Sequence, residues 1–449
     1  MTQANKHIAI LGAAESGVGA AILAKKMGYQ VWVSDNGAIK TNYKNELEQY
    51  QIPYEEGKHS ESYFLKCEEV ILSPGIPLNI PIIKKLKSRG IAVISEIEFA
   101  SRYTIAHITA ITGSNGKTTT ASLIYHIMKT AGLNVALAGN IGDSFARKVA
   151  FENYDYYVLE ISSFQLDSMF NFKADIAILL NITPDHLDRY NYDFRLYAAS
   201  KMRIAQNLSS KDSLIYNTDD QVILEEMKKL NITAQLYPFS QERELTCDGA
   251  YRKNNNLYFQ INNDQFTMSI EKLALQGRHN AYNTMAGGIA AKLQEIRKES
   301  LKNCFSDFEG IPHRLENVAT IRGVLFINDS KATNVNSLWY ALESMTKPTV
   351  LILGGQDKGN DYSSIIELVR EKVKAIVCLG VDNQKIINAF ESVVPNIIET
   401  ATAQDAVLSS FYLSLPGDVV LLSPACASFD LFESYEDRGD KFKRAVQDL

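Results

Sequence analysis

Several familiar features are scarce or missing in this chain. Its 449 residues include five cysteines, Cys67, Cys247, Cys304, Cys378 and Cys426, an odd number, far apart and with no CxxC pair. That composition excludes a disulfide framework and a zinc ribbon, and it fits a reducing compartment. A basic excess is also missing: 46 Lys and Arg stand against 52 Asp and Glu, a net charge of −6. A general nucleic-acid binder would usually be basic, so none is expected. An anionic ligand remains open, because backbone amides at a helix N-terminus hold phosphate without net positive charge. No run of about 18 apolar residues occurs, so no membrane span is expected. The start lacks a basic segment, an apolar stretch and a cleavage site, so no signal peptide is expected either. Low-complexity tracts and short-period repeats are absent. These absences describe a cytoplasmic globular protein.

What is present is a repeated strand, loop and helix pattern. Short apolar runs at 7–12, 30–34, 69–73 and 91–94 alternate with amphipathic pieces such as 18–26. That alternation predicts a parallel sheet with crossover helices. A second series runs through 106–112, 134–138, 156–161, 175–181 and 213–217. The texture then changes: residues 232–270 carry Gly249-Ala250, Asn254-Asn255-Asn256 and Asn262-Asn263-Asp264 between alternating runs, which predicts antiparallel hairpins beside the parallel sheet. A third series follows Pro312, at 324–328, 349–353, 375–379 and 418–422. The expected fold is therefore α/β with three consecutive domains. The first, 1–95, is Rossmann-like. The second, 96–310, is a P-loop-type ATPase domain with a parallel sheet plus a small antiparallel sheet. The third, 311–449, is again Rossmann-like.

The sharpest local signal is Thr112-Gly113-Ser114-Asn115-Gly116-Lys117-Thr118-Thr119, between an apolar strand and a helical pattern. Glycines let backbone amides curl around phosphate, a lysine supplies a point charge for the terminal phosphates, and a threonine hydroxyl can ligate Mg²⁺. The first glycine of the full GxxxxGK[ST] pattern is replaced by Ile111. Gly12-Ala13-Ala14-Glu15-Ser16-Gly17 follows the first strand, with Asp35 ending the next. It reads as a tight strand-to-helix turn, a degenerate nicotinamide fingerprint, or a turn beside a nucleotide diphosphate.

Glu160 ends one central strand, and Thr183-Pro184-Asp185-His186 follows another. Parallel strands end at the same edge as the phosphate loop, which brings Glu160, Asp185 and His186 toward a triphosphate, where Mg²⁺ takes hard ligands. Lys201 sits in a helical stretch beside Arg203. Its spacing alone says nothing more than a solvated lysine.

Taken in order, 113–119, Leu159-Glu160-Ile161-Ser162-Ser163-Phe164-Gln165-Leu166, 181–190, Gly277-Arg278-His279-Asn280 with Asn283, Pro312-His313-Arg314-Leu315-Glu316 and 328–334 resemble the Mur ligases over nearly the whole chain. These are ATP-dependent, amide-forming enzymes of bacterial cell-wall precursor synthesis. Ser162-Ser163-Phe164-Gln165-Leu166, Asp329-Ser330-Lys331-Ala332-Thr333-Asn334 and the segment 422–430 are most similar to the branch that adds D-glutamate.

The resemblance implies a uridine-diphosphate domain, an ATPase domain and an amino-acid domain. It implies that D-glutamate is joined to UDP-N-acetylmuramoyl-L-alanine through an acyl phosphate made from ATP. Lys117 then neutralises phosphate, Thr118 and Glu160 hold one Mg²⁺, and Glu160 with His186 hold a second. Lys201 matches the family position where lysine is carbamylated by CO₂. Gly113, Ser114, Asn115, Gly116 and Thr119 line the phosphates, with Asn280, His313, Arg314 and Asp329 along the nucleotide. Ser16, Asp35, Asn36 and Gly75 fall on the uridine side, and Asn140 contacts substrate in the central domain. Lys331, Thr333, Lys358, Ser428, Phe429 and Tyr435 are the D-glutamate candidates; Tyr435 and Phe429 replace the Phe and Leu common in relatives. A monomer is expected. Cys426, with no histidine near its motif, reads as a packed thiol.

Two other readings compete. A sister ligase adding another amino acid would share the ATPase motifs. A nucleotide-switched binding protein would be expected to lose second-metal or acceptor residues, and Glu160, His186, Lys201, Lys331 and Ser428 are all present. A nicotinamide oxidoreductase would leave Lys117 unexplained.

Overall fold

The computed structural model describes residues 6–275, 277–308, 312–357 and 359–449. Among them the chain divides into two units. One extends to Leu273 and includes Tyr282–Asp307; the other is Ala274–Ala281 with Phe308–Leu449.

The first unit holds two sheets. One has five parallel strands in the order Tyr54–Glu56, Gln30–Asp35, His7–Leu11, Glu69–Leu72, Ala92–Ser95. This is the expected Rossmann-like order, and its inner strands are apolar on both faces because helices cover both. The other sheet has nine strands, beginning at one edge with Val135–Gly139, Tyr156–Glu160, His107–Thr112, Ile176–Leu179, Ser213–Asn217 and Gln235–Ser240, all parallel. Gly249–Lys253 pairs parallel to Gln235–Ser240, and Asn256–Ile261 and Asp264–Ser269 then add as antiparallel hairpins. The hairpins expected from the Asn-rich turns are therefore present, and they continue the ATPase sheet as one mixed sheet.

Helix Lys117–Thr130 shows why the sequence folds this way. Ala121, Leu123, Ile124, Ile127 and Met128 are buried at helical spacing, so one stripe faces the sheet. The two sheets of this unit share one apolar cluster, in which Ile22 and Phe99 join Phe145, Tyr157 and Leu159. Gly17 permits the turn before helix Glu15–Lys26: a Cβ there would lie 1.8 Å from the Gly12 carbonyl oxygen.

The second unit has one six-stranded sheet. Its order is Glu316–Ile321, Val324–Asn328, Val419–Ala425, Thr349–Gly354, Val373–Leu379, Ile397–Thr400. Only the first pair is antiparallel. The edge strands Glu316–Ile321 and Ile397–Thr400 are only partly buried. Their weaker apolar signal explains why the sequence reading found the four inner strands alone.

Candidate active site

In the central sheet, strand His107–Thr112 lies between Tyr156–Glu160 and Ile176–Leu179. All three run parallel, so the phosphate loop, Glu160 and the 181–186 segment emerge at one sheet edge. Helix Lys117–Thr130 starts on Gly116, whose φ of 84° is left-handed. A Cβ there would meet Asn283 Oδ1 at 2.4 Å, so both backbone and space require glycine.

The loop is held from its far side. Ser114 Oγ donates to the Thr183 carbonyl at 2.8 Å and lies 2.9 Å from the Tyr197 hydroxyl. Asn181 bonds the loop three times: its side chain accepts from Asn115 N at 2.8 Å and donates to Asn115 O at 3.0 Å, and its carbonyl accepts from Ser114 N at 2.9 Å. Lys117 Nζ folds back to the Gly113 and Ser114 carbonyls at 2.7 and 2.9 Å. Thr118 and Thr119 are buried.

Glu160 is 2 % exposed. Its Oε1 accepts from Asn140 Nδ2 at 2.9 Å. Its Oε2 is buried and has no hydrogen-bond partner among the described residues. A carboxylate oxygen left bare in a protein interior is costly unless a cation or donor meets it. His186 sits half-exposed at φ 51°, with Nε2 3.7 Å from Asp185 and its ring 5.3 Å from that of Phe164.

Lys201 is fully enclosed in this neighbourhood. Its Nζ donates to the Gly113 carbonyl at 2.8 Å and lies 4.8 Å from the centre of the Tyr197 ring. Burial, with the charge of Lys117 added, holds its amine well below the ordinary lysine value, against the attraction of Asp185 and Glu160. The solvated lysine that spacing alone suggested is therefore replaced by a buried amine beside the phosphate loop.

The N-terminal candidates are placed differently. Asp35 spends its carboxylate on backbone, accepting from Ala13 N and Gly37 N at 2.8 Å each. It shapes the turn and the loop that follows it. Asn36 is exposed, and Ser16 is half-buried on the first turn of its helix. Glu15, an awkward neighbour for a diphosphate, points elsewhere. It takes Arg147 through Nε at 2.7 Å and Nη2 at 3.0 Å, and it accepts from Ser144 N at 3.0 Å. Gly75 offers its carbonyl to Arg189 at 3.2 Å, and the Arg189 guanidinium lies 4.3 Å from the Phe164 ring centre.

Inside the second unit another group of candidates gathers. Asp329 Oδ2 accepts from Ser423 Oγ at 2.8 Å and Oδ1 from Leu315 N at 3.2 Å. Burial pushes its carboxyl up to about 7, opposed by Arg314. Arg314 Nε is buried without a partner among the described residues. His313 takes an Asn328 amide hydrogen bond at 3.0 Å, and its carbonyl accepts from Lys331 N at 3.0 Å. Lys331 Nζ lies 5.4 Å from the Tyr435 ring centre. Ser428 is buried, Phe429 is 66 % exposed, Thr333 is exposed, and Asn280 is buried. Lys358 lies outside the described residues. Cys426 is 1 % exposed and packed against Tyr362 and Asn360, a packed thiol as expected.

Sequence reasoning missed Arg438. It is 1 % exposed, and it ties two candidate loops together. Nη2 donates to Ser330 O at 2.9 Å, both Nη atoms reach Cys426 O at 3.2 Å, and Nε reaches Ser330 Oγ at 3.0 Å. The one available signal was an Arg-Gly pair in an otherwise charged helix, where Gly439 leaves room for His313 Nδ1, 2.1 Å from where a Cβ would sit.

Comparison with known proteins places this geometry. The profile of the Mur ligase middle domain matches 111–291, that of the Mur ligase glutamate ligase domain 313–426, and that of the MurD N-terminal domain 7–79. The UDP-N-acetylmuramoylalanine--D-glutamate ligase of Bacteroides fragilis is 55% identical over 447 residues, 99% of this chain and 100% of its own. The chain belongs to the Mur ligase family. A second ligase of the same name, from Porphyromonas gingivalis, is 51% identical over an alignment of 450 positions that covers 100% of this chain and 100% of its own. Among solved structures, a Mur ligase for alanine from Thermotoga maritima matches at TM-score 0.62 and 16% identity, covering 98% of this chain and 99% of its own. The MurF ligase of that organism, solved with ADP, matches at TM-score 0.60 and 13% identity over 93% and 95%. At those identities the two structures bear on the Mur ligase fold alone.

Proposed function

We propose that this chain joins D-glutamate to UDP-N-acetylmuramoyl-L-alanine, at the expense of ATP and through an acyl phosphate, in peptidoglycan precursor synthesis. Full-length identity of 50–55% to relatives of that name supports the acceptor and the donor. The observation that carries the chemistry is the buried, half-unpartnered carboxylate of Glu160 at the phosphate-loop edge. A sister ligase for another amino acid is not favoured, because the relatives share one acceptor.

A carboxylate is unreactive toward an amine until its oxygen becomes a leaving group. The L-alanyl carboxylate attacks the γ-phosphorus of ATP, the bond to the β-γ bridging oxygen breaks, and ADP leaves. The D-glutamate amine then adds to the acyl carbon, and phosphate departs with the amide formed. Such transfers depend on positioning and charge neutralisation. The donor set fits Mg²⁺: the unpartnered Glu160 Oε2 and the Thr118 hydroxyl would be hard oxygen ligands, with His186 from the same sheet edge and Lys201 within reach of the Glu160 charge. Bound there, Mg²⁺ would screen the phosphate oxygens that the nucleophile must approach.

Lys117 neutralises the terminal phosphates by leaving the Gly113 and Ser114 carbonyls. Asn140 orients Glu160. Burial holds the Lys201 amine well below the ordinary lysine value, which favours the free amine that adds to CO₂ with loss of one proton; the resulting carbamate is an anion that would suit a second Mg²⁺ beside Glu160 and His186. Arg314 and Asp329 serve the nucleotide with His313 and Asn280. Lys331, Ser428, Phe429 and Tyr435, with Lys358 and Thr333, receive the two carboxylates of D-glutamate. Ser16, Asn36 and Gly75 line the uridine side, and Asp35 shapes the turn there. No helix among the described residues is long and apolar enough to cross a membrane. A cytoplasmic monomer meets both nucleotide substrates.

The deciding assay measures phosphate release with ATP, Mg²⁺ and UDP-N-acetylmuramoyl-L-alanine against separate D-glutamate, L-glutamate, L-alanine and L-lysine. Release with D-glutamate alone, matched by amide product, is expected. Release with another amino acid overturns the acceptor, and release with none overturns the ligase.

A further inference from the structure

Helices Lys117–Thr130 and Lys298–Asp307 pack on each other within the first unit. At that contact His126 meets Cys304 and Asp307. One ligand atom from each, an imidazole nitrogen, the thiol sulfur and a carboxylate oxygen, lies within 4.8 Å of the other two. This is the one such group among the described residues. His126 Nε2 is 3.4 Å from Asp307 Oδ1. Cys304 and Asp307 are three apart on one helix and so share a face.

We propose that His126, Cys304 and Asp307 form a binding site for a borderline-soft divalent cation of the Zn²⁺ class, separate from the phosphate site. A mixed nitrogen, sulfur and oxygen set selects Zn²⁺ over Mg²⁺, which prefers oxygen throughout. Three protein ligands at these separations surround one tetrahedral ion, with water as the fourth. The thiol gives its proton to solvent as the sulfur–metal bond forms. The Thr130 hydroxyl, one turn beyond His126, lowers the Cys304 thiol against the rise that burial imposes, and would support the sulfur as a ligand. His126 lies nine residues past Lys117, roughly 13 Å along the helix, so this ion would not be the one that meets ATP. Its effect is to clamp the helix behind the phosphate loop to the helix that ends this unit.

The test titrates Co²⁺ into full-length, nucleotide-free protein carrying Cys247→Ser, which removes the exposed thiol. One equivalent should produce a thiolate-to-cobalt charge-transfer band that Zn²⁺ displaces. Cys304→Ser should abolish the band. Because Cys304 is buried, Asp307→Asn and His126→Gln provide a second measure at more exposed positions, and each should weaken Co²⁺ affinity at least tenfold. No band, a band that survives Cys304→Ser, or unchanged affinity in both other variants would overturn the site.

Discussion

Replacing Arg438 by methionine should damage the amino-acid end of the reaction while sparing the phosphate end. The guanidinium is buried with carbonyls in place of a bonded carboxylate, and burial brings its pKa down to about 10. Methionine fills much of the volume and leaves the Ser330 and Cys426 carbonyls without their donors. An unsatisfied buried acceptor costs about 1–3 kcal/mol, and relief from burying a charge offsets part of the total. A net loss of about 2–4 kcal/mol is expected, or roughly 5–15 °C in the melting temperature of a unit of this size. Arg438→Lys keeps the charge but not the planar set of donors, so it should recover less than half of the loss. Ser330 and Cys426 lie in the two loops that carry Lys331 and Ser428. Displacing them by about 1 Å should lower kcat/KM for D-glutamate on the order of 100-fold. The assay is phosphate release with D-glutamate varied, then ATP varied, beside thermal unfolding. KM for ATP should rise less than KM for D-glutamate: the phosphate loop is in the other unit, but Asp329, next to Ser330, serves the nucleotide. An Arg438→Met protein melting within about 2 °C of wild type, with an unchanged D-glutamate KM, would refute the reasoning.

Gly116→Ala forces a side chain into a left-handed residue and against Asn283, at about 1–2 kcal/mol for the backbone alone, so nucleotide affinity measured by fluorescence titration should fall at least tenfold. Lys201→Ala should cut turnover about 100-fold in folded protein, and wild-type activity should fall in CO₂-depleted buffer and return with bicarbonate; full turnover in Lys201→Ala would sink the carbamate. Glu96 is buried beside Ala146 N, and burial raises its carboxyl to about 8. The folded state therefore holds a proton that the unfolded state releases near 4.5, so this stability is complete below 4.5 and is lost as pH rises through about 8. Glu96→Gln, which mimics the protonated form, should melt higher than wild type above pH 8 and equal it near pH 5; equal melting curves at both would contradict this.

Much of the molecule was determined by local sequence. The inner strands are short apolar runs, and both faces of a parallel strand need covering, so alternation with helices reveals them without any knowledge of partners. The phosphate loop is equally local: Gly116 is required by its own φ, and Lys117 and Thr118 follow within one turn. Tertiary structure decided what depends on meetings across the chain. Glu15 was placed near a diphosphate by its neighbours in sequence, yet its partner Arg147 stands 132 residues away. Asp35 was expected on the uridine side, and only the fold shows that its carboxylate accepts from the Ala13 and Gly37 amides. Lys201 looked like any helix lysine until the fold buried it beside Gly113, where its amine is held well below the ordinary lysine value. Arg438 meets partners on other elements, and His126 joins the Cys304 and Asp307 pair only where two helices pack, so neither grouping can be read from spacing. Burial and electrostatic environment are sums over neighbours that only the folded chain assembles, and they govern which side chains can do chemistry.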